Sequence, residues 1–101
     1  MFITCLCPTY RRPAFLDLVL WLYAKQTYPE HRRFLLVYDD SGTLAPREGS
    51  NYKIIVTTQR ESSLPEKYNR MLEWLPAETD AVALWDDDDI YLSRHLEAIA
   101  L

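Results

Sequence analysis

The chain has 101 residues, of which 49% are hydrophobic and 26% charged, with a formal net charge of -4. That length suits one small domain with its own core, the supply of aromatics argues against disorder, and the acidic balance argues against nucleic acid, whose binding rests on clustered Lys and Arg. No apolar run approaches the roughly 18–20 residues of a membrane span, and the apolar N-terminus lacks the basic lead and the nearby small-residue cleavage site of a signal peptide.

The first predicted element is a strand over Phe2 to Cys7. Its cysteines, Cys5 and Cys7, are two apart and therefore share a face, about 6.5–7 Å from one another. That is at or past the reach of a disulfide. They are expected as buried free thiols in a reducing compartment, which points to a cytoplasmic protein. A Cys-x-Cys metal pair is the alternative, but no second Cys or His cluster completes it.

A helix follows, with Leu16, Val19, Leu20 and Tyr23 at i, i+3, i+4, i+7 spacing and Pro13 at its first turn. Strands are predicted at Phe34 to Tyr38 and Lys53 to Thr57, separated by a polar loop from Asp39 to Asn51 that holds Ser41, Gly42, Pro46 and Gly49. Pro65 opens a second helix built on Tyr68, Met71, Leu72 and Leu75, Ala81 to Trp85 forms the fourth strand, and Leu92, Leu96 and Ile99 begin a third helix that Ser93 could cap. Three of the four apolar runs are nearly continuous, as strands buried on both faces require. The three tryptophans sit on element patterns and are expected in the core, and His31 and His95 on the surface.

The alternation predicts an α/β, Rossmann-like three-layer domain: a mostly parallel sheet of about four strands with helices on both faces. Residues 1–101 form a single domain. In open α/β sheets ligands bind beyond the carboxyl ends of the strands. The candidate site is thus Pro8 to Arg12, Asp39 to Thr43, Gln59 to Lys67, and Asp86 to Asp89. The last set is the most distinctive. Adjacent carboxylates repel and raise one another's pKa unless a cation relieves them. Mg²⁺ takes oxygen ligands and commonly completes its shell with substrate phosphates and water. Four carboxylates at the end of a buried strand fit that chemistry better than a solvated turn before a helix.

With these segments in order, the chain resembles the N-terminal half of a family 2 glycosyltransferase of the GT-A fold. The motifs are Cys7-Pro8-Thr9-Tyr10-Arg11-Arg12-Pro13 after the first strand, Gln26-Thr27-Tyr28-Pro29 after the first helix, and Val37-Tyr38-Asp39-Asp40-Ser41-Gly42 at the second strand. Asn69 in Lys67-Tyr68-Asn69-Arg70 and the acidic Trp85-Asp86-Asp87-Asp88-Asp89-Ile90 complete the set. Arg11 stands where the family commonly has asparagine, and the Gly and Ser after the Asp pair are exchanged.

The resemblance implies metal-dependent binding of a nucleotide-diphospho-sugar donor for transfer to an acceptor hydroxyl, with inversion. Tyr10 would stack on the base. Asp40 would accept a base N–H, as a uracil-like or guanine-like edge offers, and Asp39 would contact ribose or buttress its own loop. Pro8 and Thr9 would shape the loop. Arg11, Arg12 and Lys67, and less so Arg60, would meet phosphate or sugar. Asp86 would reach ribose or metal, Asp88 would ligate Mg²⁺ or Mn²⁺ directly, and Asp87 would belong to the donor-nucleotide contacts. A UDP-sugar is the favoured donor, with GDP- or dTDP-sugars as alternatives. In that family the catalytic base and the acceptor half follow the metal motif, so the chain is expected to lack both. The competing readings are a non-catalytic nucleotide-binding module and an interaction domain that has lost its ligand. The fold also implies later strands beside Ala81 to Trp85. Without them that strand would be an apolar edge able to pair with a second copy as a homodimer.

Overall fold

The computed structural model describes residues 1–101. Five strands form one sheet: β1 (Ile3–Thr9), β2 (Arg33–Asp39), β3 (Arg47–Glu48), β4 (Tyr52–Val56) and β5 (Ala81–Leu84). Their order is β3-β4-β2-β1-β5. β1 runs parallel to both β2 and β5, and β2 parallel to β4, while β3 is antiparallel to β4. Three helices connect them: α1 (Pro13–Ala24), α2 (Leu64–Leu72) and α3 (His95–Ile99).

The helices lie on both faces. Odd-numbered β1 residues Ile3, Cys5 and Cys7 join Leu35, Val37, Ile54, Ala83 and Trp85 on one face, under Val19, Leu22 and Tyr23 of α1 and Leu96 of α3. Leu6, Leu36 and Tyr38 face the other way, against Met71 of α2. This is the period-2 alternation of a strand sorting side chains between two layers. Both cysteines are buried free thiols, as expected. Burial pushes the Cys5 thiol up to about 12 despite the nearby Arg33, and raises Cys7 further, with Asp87 and Asp86 adding to it.

Strand β1 ends at Thr9, not Cys7, and so runs through Pro8. A central strand tolerates this proline because of where it sits. Leu6 O accepts from Trp85 N at 2.8 Å, so even-numbered residues of β1 direct their backbone groups to β5. The β1–β5 ladder ends at Leu6 and Leu84, one step before Pro8 needs a donor. The fifth strand was not expected: β3 lies inside the predicted loop, and its two residues are exposed and charged. It turns back onto β4 through Gly49, where a Cβ would stand 2.3 Å from the Tyr52 ring. Gly42, at φ 72°, takes the left-handed turn at the start of the same loop.

Three further expectations change. Ser93 does not cap α3, which has no side-chain cap of its own. Gln26, just after α1 on the same face of the sheet, performs that role: its Oε1 accepts from Leu96 N at 3.0 Å and its Nε2 donates to Leu92 O at 2.8 Å. Thr27 N donates to Ser93 O at 2.8 Å. The Gln-Thr pair therefore ties the segment after the acidic turn to the end of α1. Trp21 is 57% exposed, with the Lys25 ammonium 5.3 Å from its ring, whereas Trp85 is fully buried and Trp74 packs edge-on to Tyr38. His95 is half-buried, its ring 4.7 Å from Tyr91, which in turn stacks on Trp85 at 4.2 Å.

Candidate functional site

The carboxyl ends of β1, β2 and β5 open onto one cavity of about 690 Å³. The loop after β1 supplies Pro8, Thr9, Tyr10 and Arg12, the end of β2 supplies Asp40, and the turn after β5 supplies Asp86, Asp87 and Asp88. Lys67 and Tyr68 reach it from α2, and Arg60, Ser62, Ser63 and Leu64 close it from the approach to that helix. Ser63 caps α2, its Oγ accepting from Glu66 N at 3.2 Å. The α2 N-terminus is thereby held at the cavity rim, where Ser63 and Leu64 line the space.

At the β2 end the charges are locked. The Lys67 ammonium lies 2.6 Å from Asp40 Oδ1 and donates to Thr9 O, also at 2.6 Å. Glu61 N donates to the other Asp40 oxygen at 2.7 Å. Lys67 is 6% and Asp40 2% exposed, so the pair is buried and bridges β1, β2 and α2. Asp39 does not line the cavity. It is fully buried and accepts from Ser41 N and Oγ, Thr43 N and Leu44 N, so of its two expected roles the structure displays the loop buttress. Burial pushes its carboxyl up, and the Ser41 hydroxyl and three backbone N–H groups more than offset this, leaving it below the ordinary value.

At the β5 end the charges are less settled. Asp87 is nearly buried and compensated, accepting from Thr9 Oγ1 at 2.8 Å and from Arg12 Nη1 at 3.0 Å. Arg12 also reaches Asp88, at 3.4 Å. Asp86 has no cation partner. Burial raises its carboxyl above the ordinary range, as do a hydrogen bond with Asp89 and the charges of Asp89, Asp88 and Asp87. Its backbone N–H donates to Tyr91 Oη at 2.9 Å, which joins the turn to the Trp85 stack. No three His, Cys, Asp or Glu side chains converge on one point. Asp86 and Asp88 both face the cavity, and a two-carboxylate set fits a hard cation whose shell is finished by phosphates and water, not by protein alone.

The structure gathers most of the sequence-predicted residues around one cavity: Pro8, Thr9, Tyr10, Asp40, Lys67, Asp86, Asp87 and Asp88. Arg11 stands apart with Asp39. Its φ of 53° is left-handed, a conformation that asparagine accepts far more readily than arginine. Its N–H donates to Ser41 Oγ at 3.2 Å, and its guanidinium lies 5.3 Å from the Tyr10 ring. Ser62, Ser63 and Leu64 fall within the expected Gln59 to Lys67 segment but had no role assigned, and Tyr68 was expected only as a helix residue. The Ser-x-x-Glu spacing of Ser63 and Glu66 was a readable capping signal for Ser63.

The strand order and the placement of the helices are those of part of a GT-A fold. No family model and no curated protein matches the sequence. Among solved structures, S. aureus TarS in complex with UDP-GlcNAc superposes with a TM-score of 0.79 at 22% identity, over 99% of this chain and 30% of that one. The larger S. aureus TarS structure gives 0.77 at 22% identity, over 99% of this chain and 19% of that one. The Pyrobaculum calidifontis mannosyltransferase PcManGT, in complex with GDP-Man and Mn²⁺, gives 0.71 at 19% identity, over 95% of this chain and 30% of that one. The chain thus spans a third or less of the structures it matches, and likeness at this identity establishes the fold.

Proposed function

We propose that this chain binds a nucleotide-diphospho-sugar, with a UDP-sugar favoured, as the donor-binding part of a family 2 glycosyltransferase. The observation that carries the reading is the composition of a single cavity. It holds an aromatic ring (Tyr10), a buried acceptor (Asp40), cations (Arg12, Arg60, Lys67) and two acids without full compensation (Asp86, Asp88). A base, a diphosphate and a divalent cation together need that set of groups. The TarS and PcManGT complexes with UDP-GlcNAc and with GDP-Man and Mn²⁺ support it by fold.

In this reading Tyr10 supports the base, and Asp40 turns a remaining lone pair toward a base N–H while Lys67 and Glu61 N hold it in place. Asp88 and Asp86 hold Mg²⁺ or Mn²⁺, which when bound neutralises charge on the departing diphosphate. Calorimetry with UDP tests the reading. Binding is expected to be at least tenfold tighter in Mn²⁺ than in EDTA, and Asp88→Ala is expected to remove the difference, a loss of about 1.4 kcal/mol or more. Equal affinity in Mn²⁺ and EDTA would overturn the metal assignment.

Two secondary proposals accompany this one. The buried, reduced thiols support a cytoplasmic location, and no helix is long and apolar enough to cross a membrane. β5 is the last strand of the sheet and pairs only with β1, while Val82 and Leu84 are 45% and 57% exposed. Such an edge is a template for pairing, and a homodimer about a two-fold axis through β5 is expected. Sedimentation at micromolar concentration should show a dimer, and a monomer mass independent of concentration would exclude it.

A further inference from the structure

Three cations line the cavity, and two of them are paired with acids: Arg12 with Asp87 and Asp88, and Lys67 with Asp40. Arg60 is the exception. It is exposed, and its guanidinium has no carboxylate within ion-pair distance and no hydrogen-bond partner in the protein. Its guanidinium carbon lies 4.3 Å from the centroid of the Tyr10 ring. Arg11, which is not part of the cavity lining, approaches the same ring at 5.3 Å and Lys67, already paired with Asp40, at 5.9 Å, so Arg60 is the nearest of the three cations to it.

A stacked aromatic ring sits with its centroid about 4.5 Å or more from its partner. The Arg60 guanidinium occupies that place. A base cannot stack on the ring face that Arg60 covers until Arg60 moves, and moving it gives up a cation–π contact. A nucleoside offers the displaced guanidinium no new partner. A nucleoside diphosphate does, because arginine binds phosphate oxygens as a planar fork.

We propose that Arg60 is a specificity-determining residue that makes stacking on Tyr10 conditional on the ligand's phosphates. It blocks the ring in the free protein, and it takes the diphosphate as counterion when the base displaces it. The inference rests on the donor reading above and adds to it a discrimination between nucleotides and nucleosides.

The test is titration of the folded chain with UDP and, separately, with uridine, both in Mn²⁺, for wild type, Arg60→Ala and Arg60→Lys. Arg60 is exposed, so circular dichroism spectra of the variants should match wild type. Arg60→Ala is expected to weaken UDP about tenfold, the scale of a lost charge-assisted contact. Uridine affinity should hold or rise about two- to fivefold, since an exposed cation–π contact no longer has to be broken. Arg60→Lys should recover part of the UDP affinity, as a charge without the fork. If uridine and UDP weaken by the same factor, Arg60 is part of the base platform and the proposal is overturned. Unchanged affinity for both ligands overturns it too. A folded wild type that binds neither ligand sinks the donor reading itself, an outcome distinct from either of these.

Discussion

Two strand ends in this domain each carry consecutive aspartates, and the two are built in opposite ways. At the end of β2, Asp39 and Asp40 are almost wholly buried, and every carboxylate oxygen is engaged by the protein. At the end of β5, Asp86 has no cation partner, Asp88 shares one exposed arginine with Asp87, and burial together with the neighbouring acids raises the pKa of Asp86. Burial near bonded partners turns a carboxylate into a structural part, because the cost of removing it from water is offset by N–H donors and a counterion. Crowding carboxylates without that compensation leaves a site whose charge is relieved only from outside. The same residue type thus supplies the frame at one end of the cavity and an incompletely compensated acidic surface at the other.

The largest way to break this comparison is to remove the counterion at the framed end. Lys67→Ala leaves Asp40 buried without its cation and Thr9 O without its donor. Losing one partner of a buried pair costs about 3–5 kcal/mol, a large share of the stability of a domain this size. At the other end, Arg12 is about half-exposed, and Arg12→Ala is expected to cost about 1 kcal/mol or less. Urea denaturation of the two variants at neutral pH measures both. Similar costs for the two would show that the ends are not built differently.

How much of this was legible in the sequence follows from the same physics. The four longer strands were, because a strand buried in a parallel sheet leaves a continuous apolar run, and their ends located the cavity. The strand Arg47–Glu48 was not, since two exposed charged residues carry no burial pattern. Lys67 was readable as a helix lysine near phosphate or on the surface. Its partner Asp40 lies 27 positions earlier, and only the fold brings them to 2.6 Å. The capping of α3 by Gln26 was hidden for the same reason, across 70 positions. Trp21 misled because a helix apolar on most sides reads as core on every side. The acidic run was legible as a group, while the division within it, Asp87 bonded and Asp86 without a cation, depends on where Thr9 and Arg12 fall.

The smaller and sharper test uses one isosteric change at both ends. Asp39→Asn keeps the shape but replaces one acceptor oxygen with an amide that faces backbone N–H groups. The bonds it weakens are charge-assisted, so a loss of about 1.5–3 kcal/mol is expected at neutral pH. The dependence on acid follows from the lowered Asp39 pKa. A carboxyl whose folded value lies below its unfolded one contributes stability that is present above the unfolded value and lost as pH falls through the folded value. The loss should therefore begin near the ordinary carboxyl value of 3.8 and continue below it. Over that window the wild type approaches the Asp39→Asn variant, because both then carry a neutral side chain. At the other end, Asp86→Asn removes a carboxylate repelled by its neighbours and is expected to cost nothing at neutral pH, or to stabilise. Urea midpoints for the three proteins from neutral pH down through 3.8 measure both effects. A penalty for Asp39→Asn that stays constant through the acid range would mean that its carboxylate is not held charged by the loop, and the contrast between the two strand ends would fail.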